Sequence, residues 1–411
     1  MADDDEFLEL LTGAAASKLL AVAVAGVGGR LVSWRAEQVD YRAGGTTVAY
    51  RTEIAQGSTT HTEVLCATAG GALPDGVTVI GDDELQVGVW AAAADPLLPG
   101  MRAAMNPAAV SALFESCGLG AEEVRLELLS YRPMRRAVVE ATGPLGRLYL
   151  KVIPPAKVEA LHERHRLLAG AGVPAPRSLG WSDDGLLVLE DLPGRSLRSV
   201  LRSGGPLPDP SELLGLLDRL PSQLLDAPRR SSWLERTEYY ARAVGTVVPE
   251  LAANASQLAG TIVAESHVGA VVPVHSDFYE AQVFVDAQGS VCGLLDVDTA
   301  GPGDRVDDLA CLVGHLSVLA EVLPRHAAAI SAYATHCLST FDRHVDPRQL
   351  RLRVASVVLS LATGPHRVQE PGWPQATRTR LALAERWVEA ADRVNRSHEL
   401  HDEGNHHVSN A

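Results

Sequence analysis

The sequence predicts an α+β protein of two lobes, a β-rich one followed by a helical one, with a small strand-rich domain in front. Three observations carry that expectation. Short apolar runs joined by tight turns fill 124–153 and 177–190. The pattern turns mostly helical after Pro193-Gly194. Asp95-Pro96-Leu97-Leu98-Pro99-Gly100 closes the first segment. The expected domains are 1–105, 106–192 and 193–411.

Taken in order, 6–25 reads as a helix, followed by strands at 39–41, 46–53, 61–67 and 84–90 with glycine pairs at the turns. Asn106-Pro107 starts a helix running to about Cys117, with proline at its first position. Strands follow at 124–129, 137–141 and 148–153. A helix then spans 157–169 until Gly172-Val173-Pro174-Ala175-Pro176 stops it. Strands 177–181 and 186–190 flank the turn Asp183-Asp184-Gly185, and a strand pair at 283–285 and 292–296 interrupts the later helices. Residues 39–48, opening Val39-Asp40-Tyr41-Arg42, echo 129–138, opening Leu129-Ser130-Tyr131-Arg132; chance similarity of two Tyr-Arg hairpins is the preferred reading over a duplicated unit. The histidine-rich tail from Ser397 reads as a frayed, solvated end, not a metal site.

A chain of 411 residues with 46% hydrophobic and 21% charged residues can bury a sizeable core. The net charge of −15 and isoelectric point near 5.4 argue against a nucleic-acid groove or an anionic membrane surface as partner. Five scattered cysteines, odd in number and without metal spacing, read as reduced thiols of a cytoplasmic protein. The acidic opening residues are the wrong charge for a secretory leader. The apolar run at 19–29 is too short and glycine-rich to span a bilayer. Only Lys18, Lys151 and Lys157 are lysines, so a lysine inside an apolar strand invites a chemical reason.

The strongest chemical signal is His275-Ser276-Asp277, with Gln282 five residues beyond Asp277, then a hairpin, then Asp296 and Asp298. Phosphoryl transfer demands positioning and charge neutralisation more than covalent chemistry. Asp277 suits the group that orients or deprotonates an attacking hydroxyl. Gln282 and Asp296 offer the hard oxygens that Mg2+ prefers. Lys151 lies in Leu148-Tyr149-Leu150-Lys151-Val152-Ile153, on the face of Tyr149 and Ile153; it must be paired or face a cleft. Glu163, on the following helix, is the expected partner, and a compact ammonium serves a phosphate pair where a guanidinium fork would not fit.

From about Val124 to Ala310 the chain resembles the aminoglycoside-phosphotransferase-like kinases, a branch of the protein-kinase-like superfamily. The resemblance implies a bilobal protein-kinase-like fold using ATP and Mg2+. It gives Asp277 the base role, Gln282 and Asp296 the metal, and Lys151 the phosphates. Gly303-Asp304-Arg305-Val306-Asp307-Asp308 resembles the segment after that family's magnesium aspartate, so Asp304 and Asp308, with His275, are expected to brace the loop. Leu189-Glu190-Asp191-Leu192 resembles the hinge whose backbone holds adenine.

Two departures stand out. The family usually carries asparagine at the place of Gln282 and glycine at Ser276; glutamine there is similar to maltokinases and glucosamine kinases, which also bear an N-terminal cap domain. The small lobe lacks a Gly-x-Gly-x-x-Gly loop. Its first turn, 130–136, offers Arg135 to a phosphate or is simply a solvated basic turn.

On the acceptor side, Arg367, Glu370 and Trp373 suit a sugar, and Glu280 and Asp298 an amine, although prolines around 363–374 also fit a structural loop. The expectation is a kinase for a sugar or amino sugar, with glucosamine the first choice and maltose or an aminoglycoside as rivals. A pseudokinase is the rival of another class, favoured by Gln282 and opposed by Lys151, Asp277 and Asp296. No motif specifies the hydroxyl, the nucleotide base or an oligomeric state.

Overall fold

The computed structural model describes residues 4–42, 45–82, 85–120 and 123–408. Two compact units emerge. The first holds 1–163, 177–191 and 366–371; the second holds 164–176, 192–365 and 372–411.

The first unit opens with α1 (Asp4–Thr12) and α2 (Ala15–Gly26). The single helix expected over 6–25 is therefore two, bent by 60°. Gly13 sits at the break, where an added Cβ would lie 2.6 Å from the Glu9 carbonyl. Leu11, Ala16, Leu20 and Val24 are buried against a five-stranded antiparallel sheet: β1 (Arg30–Arg42), β2 (Gly45–Gln56), β3 (Thr59–Ala69), β4 (Thr78–Gly81) and β5 (Gln86–Ala91). β1 begins well before the expected strand, and β4 was not expected at all. Among the described residues no single helix is long and apolar enough to cross a membrane. α1 and α2 together reach that length and composition, but bent.

Beyond α3 (Met101–Ala104), Asn106 caps α4 (Pro107–Ser116) by accepting from the Ala108 and Ala109 amides at 3.0 and 3.3 Å, a cap worth about 1 kcal/mol. A second antiparallel sheet follows: β6 (Arg125–Arg132), β7 (Arg136–Gly143), β8 (Gly146–Val152), β9 (Ser178–Trp181) and β10 (Leu186–Glu190), with α5 (Val158–Gly170) between β8 and β9. Strand alternation divides β8 between two cores. Leu148, Leu150 and Val152 pack with Ala137, Val139 and Phe114, whereas Tyr149 joins Leu187 and Leu189.

The two sheets have the same strand order, β1-β2-β3-β5-β4 and β6-β7-β8-β10-β9. The echo noted in the sequence falls at the same place in each, Tyr41-Arg42 and Tyr131-Arg132 ending the first strand. Shared order and shared position favour a duplicated unit over chance.

The second unit contains β11 (Arg195–Ser196), α6 (Leu197–Ser203), α7 (Pro210–Asp218), α8 (Thr237–Val247) and α9 (Ala252–Glu265). After these come β12 (Val271–Val274), β13 (Val283–Val285), β14 (Val291–Leu294) and β15 (Gly301–Asp304). It ends with α10 (Arg305–Val322), α11 (Ala327–Phe341), α12 (Pro347–Leu361), α13 (Gly364–Arg367, whose last two residues fall in the first unit) and α14 (Trp373–Val408). Its large core is built on α10 and α12, with Leu309, Leu312, Val313 and Leu316 meeting Val354, Val357 and Val358. The backbone of α14 runs on through the tail read as frayed; the tail's imidazoles lie outside the described side chains.

Candidate active site

The loop 275–282 leaves β12, which pairs antiparallel with β15 from Val271↔Asp304 to Val274↔Gly301. That pairing delivers His275, fully buried, beneath the start of α10. Asp308, in the first turn of α10 and also fully buried, accepts from the His275 amide at 2.8 Å and the Ser276 amide at 2.7 Å, one with each carboxylate oxygen. Burial pushes its carboxyl up from the usual range, opposed by His275 and those amides. Because the Asp277 amide can only donate, His275 Nδ1 accepts from it at 3.3 Å, and Nε2 is then the donor to the Leu295 carbonyl at 2.8 Å. Thr299 Oγ1 donates to the His275 carbonyl at 3.1 Å. Asp277 thus stands half-buried on a loop whose backbone is tied on several sides.

The hairpin β13–β14 brings the next residues together. Val283 pairs with Leu294, and the Leu295 amide donates to the Gln282 carbonyl at 2.8 Å. Gln282 and Asp296 therefore share one end of the hairpin. Asp296 was expected at the end of a strand; it lies beyond β14 in left-handed backbone, φ 54°, a conformation that costs a non-glycine residue about 1–2 kcal/mol. Strain of that kind concentrates at functional sites. Among the described residues no three His, Cys, Asp or Glu side chains cluster as a metal cage. An amide oxygen and a carboxylate nonetheless fit Mg2+, which takes one or two carboxylates and completes its octahedron with phosphate and water.

Other residues go elsewhere than expected. Glu280, expected to face an amine, is fully buried and held by Arg198, with Nε donating to Oε1 at 2.8 Å and Nη2 lying 2.7 Å from it. Burial raises its pKa, opposed by Arg198. Arg198 also lies over Tyr279, whose ring stacks on His315 at 4.2 Å. Asp304 does not touch the loop backbone. It caps α10 by accepting from the Val306 amide at 3.1 Å, takes the Gly269 amide at 2.8 Å, and lies 3.5 Å from Arg353 Nη2. The bracing falls to Asp308 alone of the pair. The half-buried Asp298 offers its carbonyl to Arg164 Nη1.

Sequence reasoning passed over Arg353 and Asp307, which lie 3.1 Å apart; burial pushes the Asp307 carboxyl up to about 7. A signal was present. Arg353 is a lone charge in the apolar run 352–359, and such a charge must find partners.

In the first unit, Lys151 is 6% exposed in β8, between Val138 of β7 and Leu187 of β10. Glu163 lies on the exposed side of α5. The β6–β7 turn takes an unexpected tether. Met134, at φ 59°, donates its amide to Asp95 Oδ2 at 2.7 Å, and the Tyr131 hydroxyl donates to the same oxygen at 2.6 Å. Trp90 Nε1 and Cys66 Sγ both approach that hydroxyl, at 3.2 and 3.5 Å. Arg135, expected at a phosphate, pairs instead with Asp40 at 3.2 Å.

At the expected hinge the side chains are engaged, Glu190 with Arg177 at 3.6 Å and Asp191 with Arg147 at 2.8 Å. Leu192 opens the next stretch of the second unit. Arg367 and Glu370 fall in the first unit and Trp373 in the second. Nearby, Gln369 at φ 50° donates Nε2 to the His366 carbonyl at 2.7 Å, and burial lowers the His366 imidazole to about 4.

Residues 135–353 match the phosphotransferase enzyme family, APH. No curated protein sequence matches the chain. Among solved structures, the chain is similar to a thermostable mutant of the aminoglycoside phosphotransferase APH(4)-Ia, at 17% identity and TM-score 0.46, covering 69% of this chain and 98% of that one. It is similar to a choline/ethanolamine kinase family protein from Mesorhizobium loti at 17% identity and TM-score 0.43, covering 64% and 88%. A macrolide 2'-phosphotransferase type I gives 16% identity and TM-score 0.41, covering 67% and 97%.

Proposed function

This chain belongs to the phosphotransferase enzyme family, whose members act on hydroxyl groups of small molecules, and on that premise we propose that it phosphorylates a sugar or amino sugar from magnesium ATP, with glucosamine as the preferred acceptor. The observation that carries the reading is the tied loop. Asp308 holds the backbone amides on either side of the His275 Cα, which supports Asp277, two residues on, as the group that orients a hydroxyl and takes its proton.

Gln282 and Asp296 would hold Mg2+, which when bound neutralises charge on the phosphates. Lys151, partnered by Glu163, binds phosphate oxygens as a point charge. Main-chain groups at 190–192 take the adenine, since the side chains of Glu190 and Asp191 are already paired. Asp298 and Glu370 supply carboxylates for an amine, Arg367 hydrogen-bonds hydroxyls, and Trp373 stacks on the sugar's apolar face. Glu280 acts from behind, keeping Arg198 and Tyr279 in place. Residues 1–105 are a cap on the small lobe, 106–192, and 193–411 form the catalytic lobe.

A screen of acceptor-dependent ATP consumption over sugars, amino sugars, aminoglycosides and macrolides tests this. Glucosamine should give the highest kcat/KM. Asp277→Asn should lower kcat by about 10²–10⁴-fold, the scale of a lost general base, with an unchanged melting temperature. Turnover confined to an antibiotic would move the acceptor class. Near-normal turnover in the variant would remove Asp277 from the chemistry.

A further inference from the structure

Behind the loop lies a cavity lined by none of the residues proposed to hold acceptor, nucleotide or Mg2+. It is bounded by the segment carrying Arg229, Arg230 and Arg236, by Ser276 on the loop, and by Arg353 of α12. About 40 Å³ is open to the centre of a water-sized sphere, against roughly 10–15 Å³ for one water. That is room for a tetrahedral group.

The charges around it are unevenly matched. Arg229 is paired with Glu235 at 2.9 Å, and Arg236 lies over the Tyr239 and Tyr240 rings at 5.4 and 5.2 Å. Arg230 makes no ion pair or hydrogen bond among the described residues. Arg353 is 1% exposed. Its Nη2 donates to the His267 carbonyl at 2.8 Å and its Nε lies 3.1 Å from Asp307, yet its buried Nη1 has no hydrogen-bond partner among the described residues, and neither has Asp307 Oδ1. A buried guanidinium N–H without an acceptor is uncommon, and an unseen oxyanion is one of its ordinary explanations. The two carboxylates in the wall, Asp304 and Asp307, lie 3.5 and 3.1 Å from Arg353, and burial moves the Asp307 carboxyl up to about 7; Arg230 and Arg236 pair with no carboxylate among the described residues. Ser276 adds an independent sign. It stands at φ 67°, where glycine would be unstrained, and it is among the residues that line this cavity.

We propose that this cavity is a second anion site, which takes a phosphate dianion, free or as the phosphoryl group of an organic phosphate, between Arg230, Arg353 and Ser276. Arginine forks match phosphate oxygens, and the serine hydroxyl supplies a further donor. The occupant touches the residue directly before Asp277, so the site adjoins the loop without belonging to the acceptor or nucleotide positions.

Titration calorimetry of the full chain, with a non-hydrolysable ATP analogue and magnesium saturating the nucleotide site, tests the proposal. Orthophosphate should bind once per chain. Arg230→Glu should weaken it at least tenfold and Arg230→Lys by less, at unchanged melting temperature in phosphate-free buffer; Arg230 is exposed, so neither variant threatens the fold. A parallel titration with a phosphorylated monosaccharide distinguishes the sources: tighter binding than orthophosphate assigns the site to an organic phosphate, weaker binding to the free ion. No binding of either, equal binding to Arg230→Glu, or displacement of phosphate by the acceptor sugar would overturn the site. Because no arm reads turnover, the outcome is separate from whether the chain phosphorylates a sugar.

Discussion

The two five-stranded sheets of the first unit are built alike and equipped differently. Counting back from each hairpin turn, Tyr41 pairs with Thr46 and Thr46 with Ala69, as Tyr131 pairs with Ala137 and Ala137 with Val152. One step along, Thr47 faces Thr68 where Val138 faces Lys151. The position that holds a buried ammonium in the second sheet holds a threonine in the first. There Thr68 closes a local network, donating to the Thr46 carbonyl at 3.2 Å and sharing a 2.9 Å hydrogen bond with Thr47. The second sheet also carries α5 between its third and fourth strands, and the first does not. One frame has the cation and the helix that the proposed phosphate binding asks for. The other has neither.

Lys151→Thr makes the second sheet match the first and should have the largest effect. With the phosphate charge unmet, kcat/KM for ATP should fall roughly 10²–10³-fold, the scale of one lost electrostatic contact in a preorganised site. Its thermal midpoint should change little, since Glu163, the partner left behind in the proposed pair, lies on the exposed side of α5. Retained activity would make the two sheets equivalent.

Asp95→Ala should come next, because it cuts the tether between the sheets. The Tyr131 hydroxyl and Met134 amide lose their shared acceptor, at a cost of about 1–3 kcal/mol read by denaturant unfolding. KM for ATP should rise as the β6–β7 turn loosens. Unchanged stability and KM would show two independent sheets. Arg135→Ala should do least. Its pair with Asp40 is exposed, and pairs of that kind contribute about 0.2–1 kcal/mol. A larger loss in affinity for ATP than in stability would return Arg135 to the phosphates.

The second sheet was legible because its strands alternate and end in recognisable turns, and Asn106-Pro107 announced α4. β12 and β15 were not legible. Gly301-Pro302-Gly303-Asp304 has no strand propensity and is extended only because β12 lies beside it. The site divided along the same line. Asp277, Gln282 and Asp296 could be spaced along the chain, since a hairpin links them. Arg198 and Glu280 are 82 residues apart, and no local pattern foretells that pairing or the burial that follows. The Asp95 tether escaped for the same reason, its partners lying 36 and 39 residues downstream. The shared strand order also gave the Tyr-Arg echo a meaning that two identical positions in four could not.

Synthesis runs from the N-terminus, so the ribosome releases the loop before its brace. Asp308 follows Ser276 by 32 residues, and Arg353, the counter-charge of Asp304 and Asp307, comes later still. A nascent chain that has just exposed Asp298 carries Lys151, Asp277, Gln282 and Asp296 but neither Asp308 nor Arg353. The loop gains its brace when α10 supplies Asp308, and the neighbouring Asp304 and Asp307 gain theirs when α12 supplies Arg353. Catalytic competence therefore belongs to the late stage of translation, and a chain stalled before residue 353 should remain chemically silent however well the sheet that carries Lys151 has folded.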